Sequence, residues 1–317
     1  MRWRPLNGPA VAAERARLKR RVHQYFQQQS VLEVDTPSLS ASAVSDPHLH
    51  SFTVEDRQHA ATPLYLHTSP EFAMKRLLAA GFPDIYSVCR VYRGGEVGHR
   101  HQPEFTMIEW YRAGMREHEI VEDTLALIGA VLDRETATVQ KTYRDAFVDA
   151  IGLDPLTDPL ETIKTAAGFD SDLAASLGDR RQDWLDVLFA DRVASTFEDD
   201  TLTVINAYPA DQAALAQLDP NDPAVALRFE VFAGSMELAN GFVELGDADE
   251  LRQRFESDLE IRRDKHQSVL PLDERFLAAM QSGLPGCAGV ALGFERLHMV
   301  AADTTDIRDV LIFDHEG

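Results

Sequence analysis

Arg90 and Arg93 stand at the end of one predicted strand, and Glu104, Thr106 and Glu109 stand on the next. Arginine at the mouth of a hairpin can clamp an anion, because its planar fork matches a phosphate. The same residues also read as surface arginines paired with nearby glutamates. A second group is Glu237-Leu238-Ala239-Asn240-Gly241-Phe242-Val243-Glu244. Period-two alternation puts Glu237 and Ala239 on one face and Asn240, Phe242 and Glu244 on the other, unless a bulge at Gly241 changes the count. Beside a phosphate clamp such groups suit Mg²⁺, a hard cation that takes one or two carboxylates plus substrate phosphates. Without a clamp they are a half-exposed strand with solvated glutamates. The third group, Gly289 to Arg296, is a Gly-punctuated apolar strand entering a helix. A helix N-terminus favours anions, and Arg296 would be a second phosphate ligand. No Gly-Lys-Ser/Thr follows, so this is no P-loop. The pairs His48-Leu49-His50 and His99-Arg100-His101 lack the third ligand that catalytic zinc needs, and His118-Glu119 lacks a second histidine. His99 to His101 read as part of the hairpin loop.

The elements that must position these residues follow from periodicity. Leu18, Val22 and Tyr25 or Phe26 recur at helical spacing within 10–29. Val31 to Pro37 alternates apolar and acidic residues, reads as a strand and ends at its proline. A helix is predicted over 70–80, with Ser69 as cap, Pro70 in its first position and Gly81 as stop. Strands at 84–92 and 104–112 flank a polar, Gly-rich loop too long for a simple turn, and loops of that length tend to carry function. Further helices are predicted at 117–133, 181–195, 248–266 and 272–282, with strands at 225–232 and 235–245. An apolar strand through Leu292 then leads into a helix from Gly293. Region 135–223 shows no recognisable chemistry. The pattern predicts an α+β fold, an antiparallel β-sheet flanked by helices.

Composition narrows the classes. The chain has 317 residues, 44% hydrophobic and 26% charged, which is ordinary globular composition. No run of about 18 apolar residues appears, so no membrane partner is expected. Lys and Arg number 31 against 52 Asp and Glu, a net charge of −21 that repels polyanions over long range. The two cysteines, Cys89 and Cys287, form no metal or redox motif, and the N-terminus lacks a signal-peptide core. Both facts predict a cytoplasmic protein.

Taken together and in order, the three groups resemble the signature motifs of class II aminoacyl-tRNA synthetases, closest to the lysine type. Residues 31–37 resemble motif 1, residues 86–112 motif 2 and residues 289–302 motif 3. The stretch Glu237 to Glu244 resembles the acidic strand of the lysine subgroup that binds metal and substrate. The resemblance runs from about residue 14 to residue 313, and 1–317 is read as a single catalytic domain with no anticodon-binding OB domain. Thr68-Ser69-Pro70-Glu71 and Met74-Lys75-Arg76-Leu77-Leu78 are similar to one family in particular, the elongation factor P lysyltransferases.

That resemblance implies activation of (R)-β-lysine with ATP and Mg²⁺, then transfer to a lysine side chain of elongation factor P. It also implies a homodimer that binds no tRNA. Carried over residue by residue, Arg93 would hold the α-phosphate of ATP and Arg296 the γ-phosphate, both as catalytic residues. Gly95, Glu96, Gln102, Phe105, Glu237, Leu238 and Gly293 would complete the ATP site, with Phe105 as the stacking face for adenine. Ser69, Glu71, Tyr111, Glu244 and Ala291 would line the amino-acid site. Glu237, Asn240 and Glu244 would reach the metal.

Three positions depart from the lysine-type pattern. Gly95 stands where a glutamate usually faces the adenine amine, Gln102 where asparagine is usual, and Glu295 where aspartate is common. Ala291 replaces the middle glycine that usually enters motif 3, and its methyl would favour a substrate with a displaced amine. The alternatives are a catalytically silent or regulatory paralogue, and a class II enzyme that activates an amino acid for another acceptor.

Overall fold

The computed structural model describes residues 3–55 and 63–315. In chain order the helices are α1 (Pro9–Gln28), α2 (Glu71–Ala79), α3 (Glu117–Leu132), α4 (Tyr143–Ile151), α5 (Leu160–Ala167), α6 (Ser171–Leu177), α7 (Arg181–Leu188), α8 (Ala248–Asp264), α9 (Glu274–Ser282) and α10 (Phe294–Ala302). The first six strands are β1 (Leu32–Glu33), β2 (Leu39–Ser40), β3 (Thr53–Val54), β4 (Leu64–Leu66), β5 (Ile85–Tyr92) and β6 (Glu104–Ala113). The others are β7 (Ala137–Thr142), β8 (Thr201–Pro209), β9 (Leu218–Asp219), β10 (Asp222–Ala233), β11 (Met236–Val243) and β12 (Cys287–Gly293). The chain divides into two compact units, residues 1–134 with 244–317, and residues 135–243. No helix among the described residues is long and apolar enough to cross a membrane.

In the first unit the sheet order is β1-β5-β6-β12, with β2-β4-β3 as a small separate sheet. The predicted antiparallel sheet is mixed, because β1 pairs with β5 in parallel. The 31–37 segment pairs over only two residues, Leu32 with Ile85 and Glu33 with Tyr86. The β5–β6 and β6–β12 ladders are antiparallel and regular, so one face carries Ser87, Cys89, Met107, Glu109, Tyr111, Gly289, Ala291 and Gly293. The opposite face carries Tyr86, Val88, Ile108, Trp110 and Val290.

Each face has its own helical cover. Helix α1 starts at Pro9, where a missing N–H costs nothing, and buries Leu18, Val22, Tyr25 and Phe26 along one stripe. Phe26 stacks on Tyr86 at 4.2 Å, centroid to centroid. Helix α3 packs alongside α1 and supplies Asp123, which accepts from Trp110 Nε1 at 3.0 Å and Tyr25 Oη at 2.6 Å. On the other face α2 packs Met74 and Leu78 against Ile85, Tyr111, Val34 and Cys287. Phe72 of α2 stacks at 4.3 Å on Phe276 of α9.

The second unit contains the 135–223 region that showed no chemistry in sequence. Its strand order is β11-β10-β8-β7, with β9 on β10 and β7 parallel to β8. Helices α4, α5 and α7 bury Tyr143, Phe147, Ile163, Trp184 and Leu188 in a core with Phe189 and Phe232. The helix expected over 181–195 holds as α7 only to Leu188, and the chain then widens and tightens through Phe189–Thr196.

Candidate active site

Helix α2 and strand β6 meet at a group of buried charges. Glu71 and Lys75 lie one turn apart on α2, and Lys75 Nζ donates to Glu71 Oε1 at 2.6 Å. The same ammonium reaches Glu244 Oε2 at 2.5 Å. Lys75 is 0% exposed, and Glu109 and Glu244 are 2% exposed. Ser69 Oγ donates to Glu109 Oε2 at 2.6 Å and Tyr111 Oη donates to Glu109 Oε1 at 2.7 Å. Ser69, expected as a cap, also accepts the Glu71 N–H at 3.0 Å, although Pro70 holds the capping position. The structure therefore brings together four predicted residues, Ser69, Glu71, Tyr111 and Glu244. It adds Glu109, which the sequence offered only as a neighbour of the hairpin arginines, and Lys75, which it offered only as part of a family-like stretch. A lone glutamate between Ile108 and Trp110, and a lysine four residues after Glu71, were the available signals.

The electrostatics follow from crowding three carboxylates around one ammonium. Burial first, then the Glu71 charge, pushes Glu109 up to about 7 against the hydrogen bonds from Ser69 and Tyr111. Burial raises Glu244 to about 8, with Glu71 and Glu109 adding to it against the pull of Lys75. Burial opposes the Lys75 charge, but Glu244 and Glu71 outweigh it and its pKa rises. Lys75 keeps its proton, and the pocket as a whole is short of positive charge.

Strand β12 makes room for that pocket. Gly289 opposes Tyr111, Ala291 opposes Glu109 and Gly293 opposes Met107. A Cβ at Gly289 would fall 2.5 Å from both Tyr111 Cδ1 and Glu244 Oε1, so only glycine fits. Ala291 is half-buried beside Glu109, and its methyl stands on the pocket face.

Further along β6 the same face reaches Phe105, four residues from Glu109 and so ~14 Å away at ~3.4 Å per residue. The Arg93 guanidinium lies over the Phe105 ring, 5.2 Å from its centroid. Arg93 Nε donates to Thr68 O at 3.3 Å, and Glu96 Oε1 lies 3.9 Å from its guanidinium. Thr68 adjoins Ser69, so one short segment ties the arginine to the carboxylate pocket. Gly95 sits in a turn at φ +81, a conformation in which a glutamate would be strained, and this explains the departure at that position. Arg296, on the first turn of α10, lies 2.7 Å from His101 Nε2, and its Nε donates to Arg100 O at 3.4 Å. The start of α10 is thereby tied to the hairpin loop.

Two of the three departing positions are held by other parts of the chain. Gln102 Oε1 accepts from His315 N at 3.3 Å and lies 3.1 Å from His315 Nδ1, so its amide ties down the C-terminal segment. Glu295 is buried and accepts from Thr106 N and Arg15 NH2, both at 2.8 Å, linking α10, β6 and α1.

In the second unit, β11 pairs Ala239 with Val231 and Glu237 with Phe232, so Leu238 is an extra residue. The expected bulge is therefore at Leu238, not Gly241, and it reverses the alternation. Glu237 comes onto the same face as Asn240 and Phe242, contrary to the period-two reading. Asn240 Oδ1 is buried and accepts no hydrogen bond. Among the described residues no group of three or more His, Cys, Asp or Glu side chains is placed to hold a metal. Mg²⁺ needs fewer protein ligands than that, and hard oxygens at Glu237 and Asn240 fit it. Glu244 leaves the expected metal set, because the Lys75 ammonium already occupies its carboxylate.

A family model, tRNA synthetases class II (D, K and N), matches residues 6–317. The chain belongs to the class II tRNA synthetase family. It is 42% identical to the elongation factor P–(R)-beta-lysine ligase of Pseudoalteromonas translucida, across 98% of this chain and 97% of that protein. Identity to the ligases of the same name is 42% in Vibrio atlanticus and 40% in Haemophilus influenzae, each over 98% of this chain and 97% of the relative. The segments that resemble motif 2 and motif 3 lie on β5 with β6 and on β12 with α10.

Proposed function

We propose that this class II synthetase activates (R)-β-lysine with ATP and transfers the lysyl group to a lysine side chain of elongation factor P. The observation that carries the reading is the buried pocket with three carboxylates for one ammonium, Glu71, Glu109 and Glu244 around Lys75. Such a pocket calls for a cationic substrate, and β-lysine brings two ammonium groups. Each charge-assisted hydrogen bond contributes about 1.5–3 kcal/mol, so neutral or shorter amino acids are rejected.

In the first step a substrate carboxylate oxygen attacks the α-phosphorus in line, and pyrophosphate leaves with the electrons of the broken P–O bond. No general base is needed, because the carboxylate is ionised at neutral pH. Arg93 binds the α-phosphate and Arg296 the γ-phosphate, neutralising charge and fixing geometry. Phe105 offers its ring to adenine, and Gly95, Glu96 and Gly293 line the nucleotide beside it. Glu237 and Asn240 would hold Mg²⁺, which supplies charge neutralisation at the phosphates. In the second step the neutral amine of the acceptor lysine attacks the acyl carbon and AMP leaves. The active chain is a cytoplasmic homodimer, and its acceptor is a protein rather than tRNA. The net charge of −21 supports that choice of acceptor.

The test is intact-mass spectrometry of unmodified elongation factor P after incubation with this protein, ATP and Mg²⁺. (R)-β-lysine and α-lysine are run in parallel, with wild type, Arg296→Ala and Ala291→Gly. The expected result is a gain of one lysyl group, faster with (R)-β-lysine, lost in Arg296→Ala and less selective in Ala291→Gly. No gain with either isomer, together with normal pyrophosphate exchange, would mean another acceptor. Absence of both would mean a silent paralogue.

A further inference from the structure

Lys75 touches no reacting atom in this scheme, yet it decides the charge of the pocket. Fully ionised, Glu71, Glu109 and Glu244 carry three negative charges, and Lys75 offsets one of them. The groups facing it are Glu71 from its own helix, Glu109 and Tyr111 from β6, Cys287 from β12, and Glu244. Burial holds the Tyr111 phenol and the Cys287 thiol neutral at ordinary pH, so neither alters the count. A buried surplus of two negative charges is costly until protons or a cationic ligand meet it. A substrate with two ammonium groups matches the surplus, whereas one with a single ammonium leaves a carboxylate that must take a proton.

We propose that Lys75 is the specificity-determining positioning residue, which clamps Glu71 to Glu244 and sets the pocket at two negative charges, so that it reads substrates with two ammonium groups. This rests on the reading of the pocket as the β-lysine site. Loss of the Lys75 charge would deepen the surplus to three. The carboxylates would then hold protons to higher pH, and the diamino acid would have to displace them.

The test is amino-acid-dependent ATP–pyrophosphate exchange in the full chain. KM for (R)-β-lysine and KM for ATP are followed from about pH 6 to about pH 9. In Lys75→Met the pH profile of the (R)-β-lysine KM is expected to move up by about one unit, with KM near neutrality raised about tenfold or more. The ATP KM stays within about twofold, because the lost charge belongs to the amino-acid pocket. Lys75→Arg keeps the profile in its wild-type position even where its KM rises. Lys75→Met/Glu244→Gln returns the surplus to two and returns the profile with it. Should Lys75→Met not fold, the arginine and double variants carry the comparison. A Lys75→Met profile that coincides with wild type overturns the proposal. So does a Lys75→Arg or double-variant profile displaced as far as a removed charge requires. Wild-type protein that shows no exchange with either lysine isomer defeats the reading of the pocket itself. Exchange with unmoved profiles defeats only the role of Lys75.

Discussion

Glu109 accepts hydrogen bonds from Ser69 and Tyr111 and still holds its proton to about pH 7. Its burial and the neighbouring Glu71 charge outweigh the two donors. Glu244 behaves alike, with a value near 8. Both lie above the 4.5 of an ordinary glutamate, so between 4.5 and about 8 the folded chain binds more protons than the unfolded one. The sign follows: this stability is present at low pH, is lost as pH rises through that window, and levels off above it. The melting temperature of the ligand-free protein is therefore expected to fall from about pH 5 to about pH 8, and Glu109→Gln should flatten the slope. A variant slope equal to that of wild type would show that Glu109 ionises normally. At this scale Arg90 and Arg93 stood out in the sequence as candidates, because arginine near a hairpin mouth is a local signal. The pocket shared by Lys75 and Glu109 was hidden, because it depends on partners distant in the chain.

Strand β12 shows how an element makes a site by what it omits. Its pocket face carries Gly289, Ala291 and Gly293, while its other face buries Val290 and Leu292. Gly289→Ala would drive a methyl into Tyr111 and Glu244, and overpacking of that kind costs about 1–3 kcal/mol. A lowered melting temperature and loss of lysine-dependent exchange by about a hundredfold are expected, the latter because about 1 Å of misplacement has that effect. Gly293→Ala is the contrast, since its Cβ would meet only Arg296 at 3.7 Å, an ordinary contact, so its melting temperature should match wild type. If both variants melt alike, the pocket is looser than these distances require. Periodicity found α1, α2 and α3 because each has one buried face, whereas β6, buried on both faces from Thr106 to Arg112, showed as a run of strand-forming residues. Periodicity misplaced the β11 bulge because a bulge is set by the register of the neighbouring β10, which the strand's own residues do not encode. It carried one helix through 181–195 because the apolar spacing continues where the backbone hydrogen bonds change.

At the scale of the whole molecule, Leu32 and Leu39 on either side of Pro37 are each 45% exposed in the single chain. The homodimer reading assigns them to the interface. Light scattering should give twice the chain mass, and Leu32→Asp should shift the species toward monomer by removing about 1.5–3 kcal/mol of apolar burial per chain. A monomeric wild type at micromolar concentration would end that reading. The family and the α+β class were legible in the sequence. They rest on residue type and on short-range spacing. Only the tertiary structure decided that Glu71, Lys75, Glu109 and Glu244 share one pocket, that Gln102 holds the C-terminal segment, and that residues 135–243 form a unit with its own core. Charges separated by up to 173 positions in the chain acquire their effect on one another only when folding brings them together at low exposure to water.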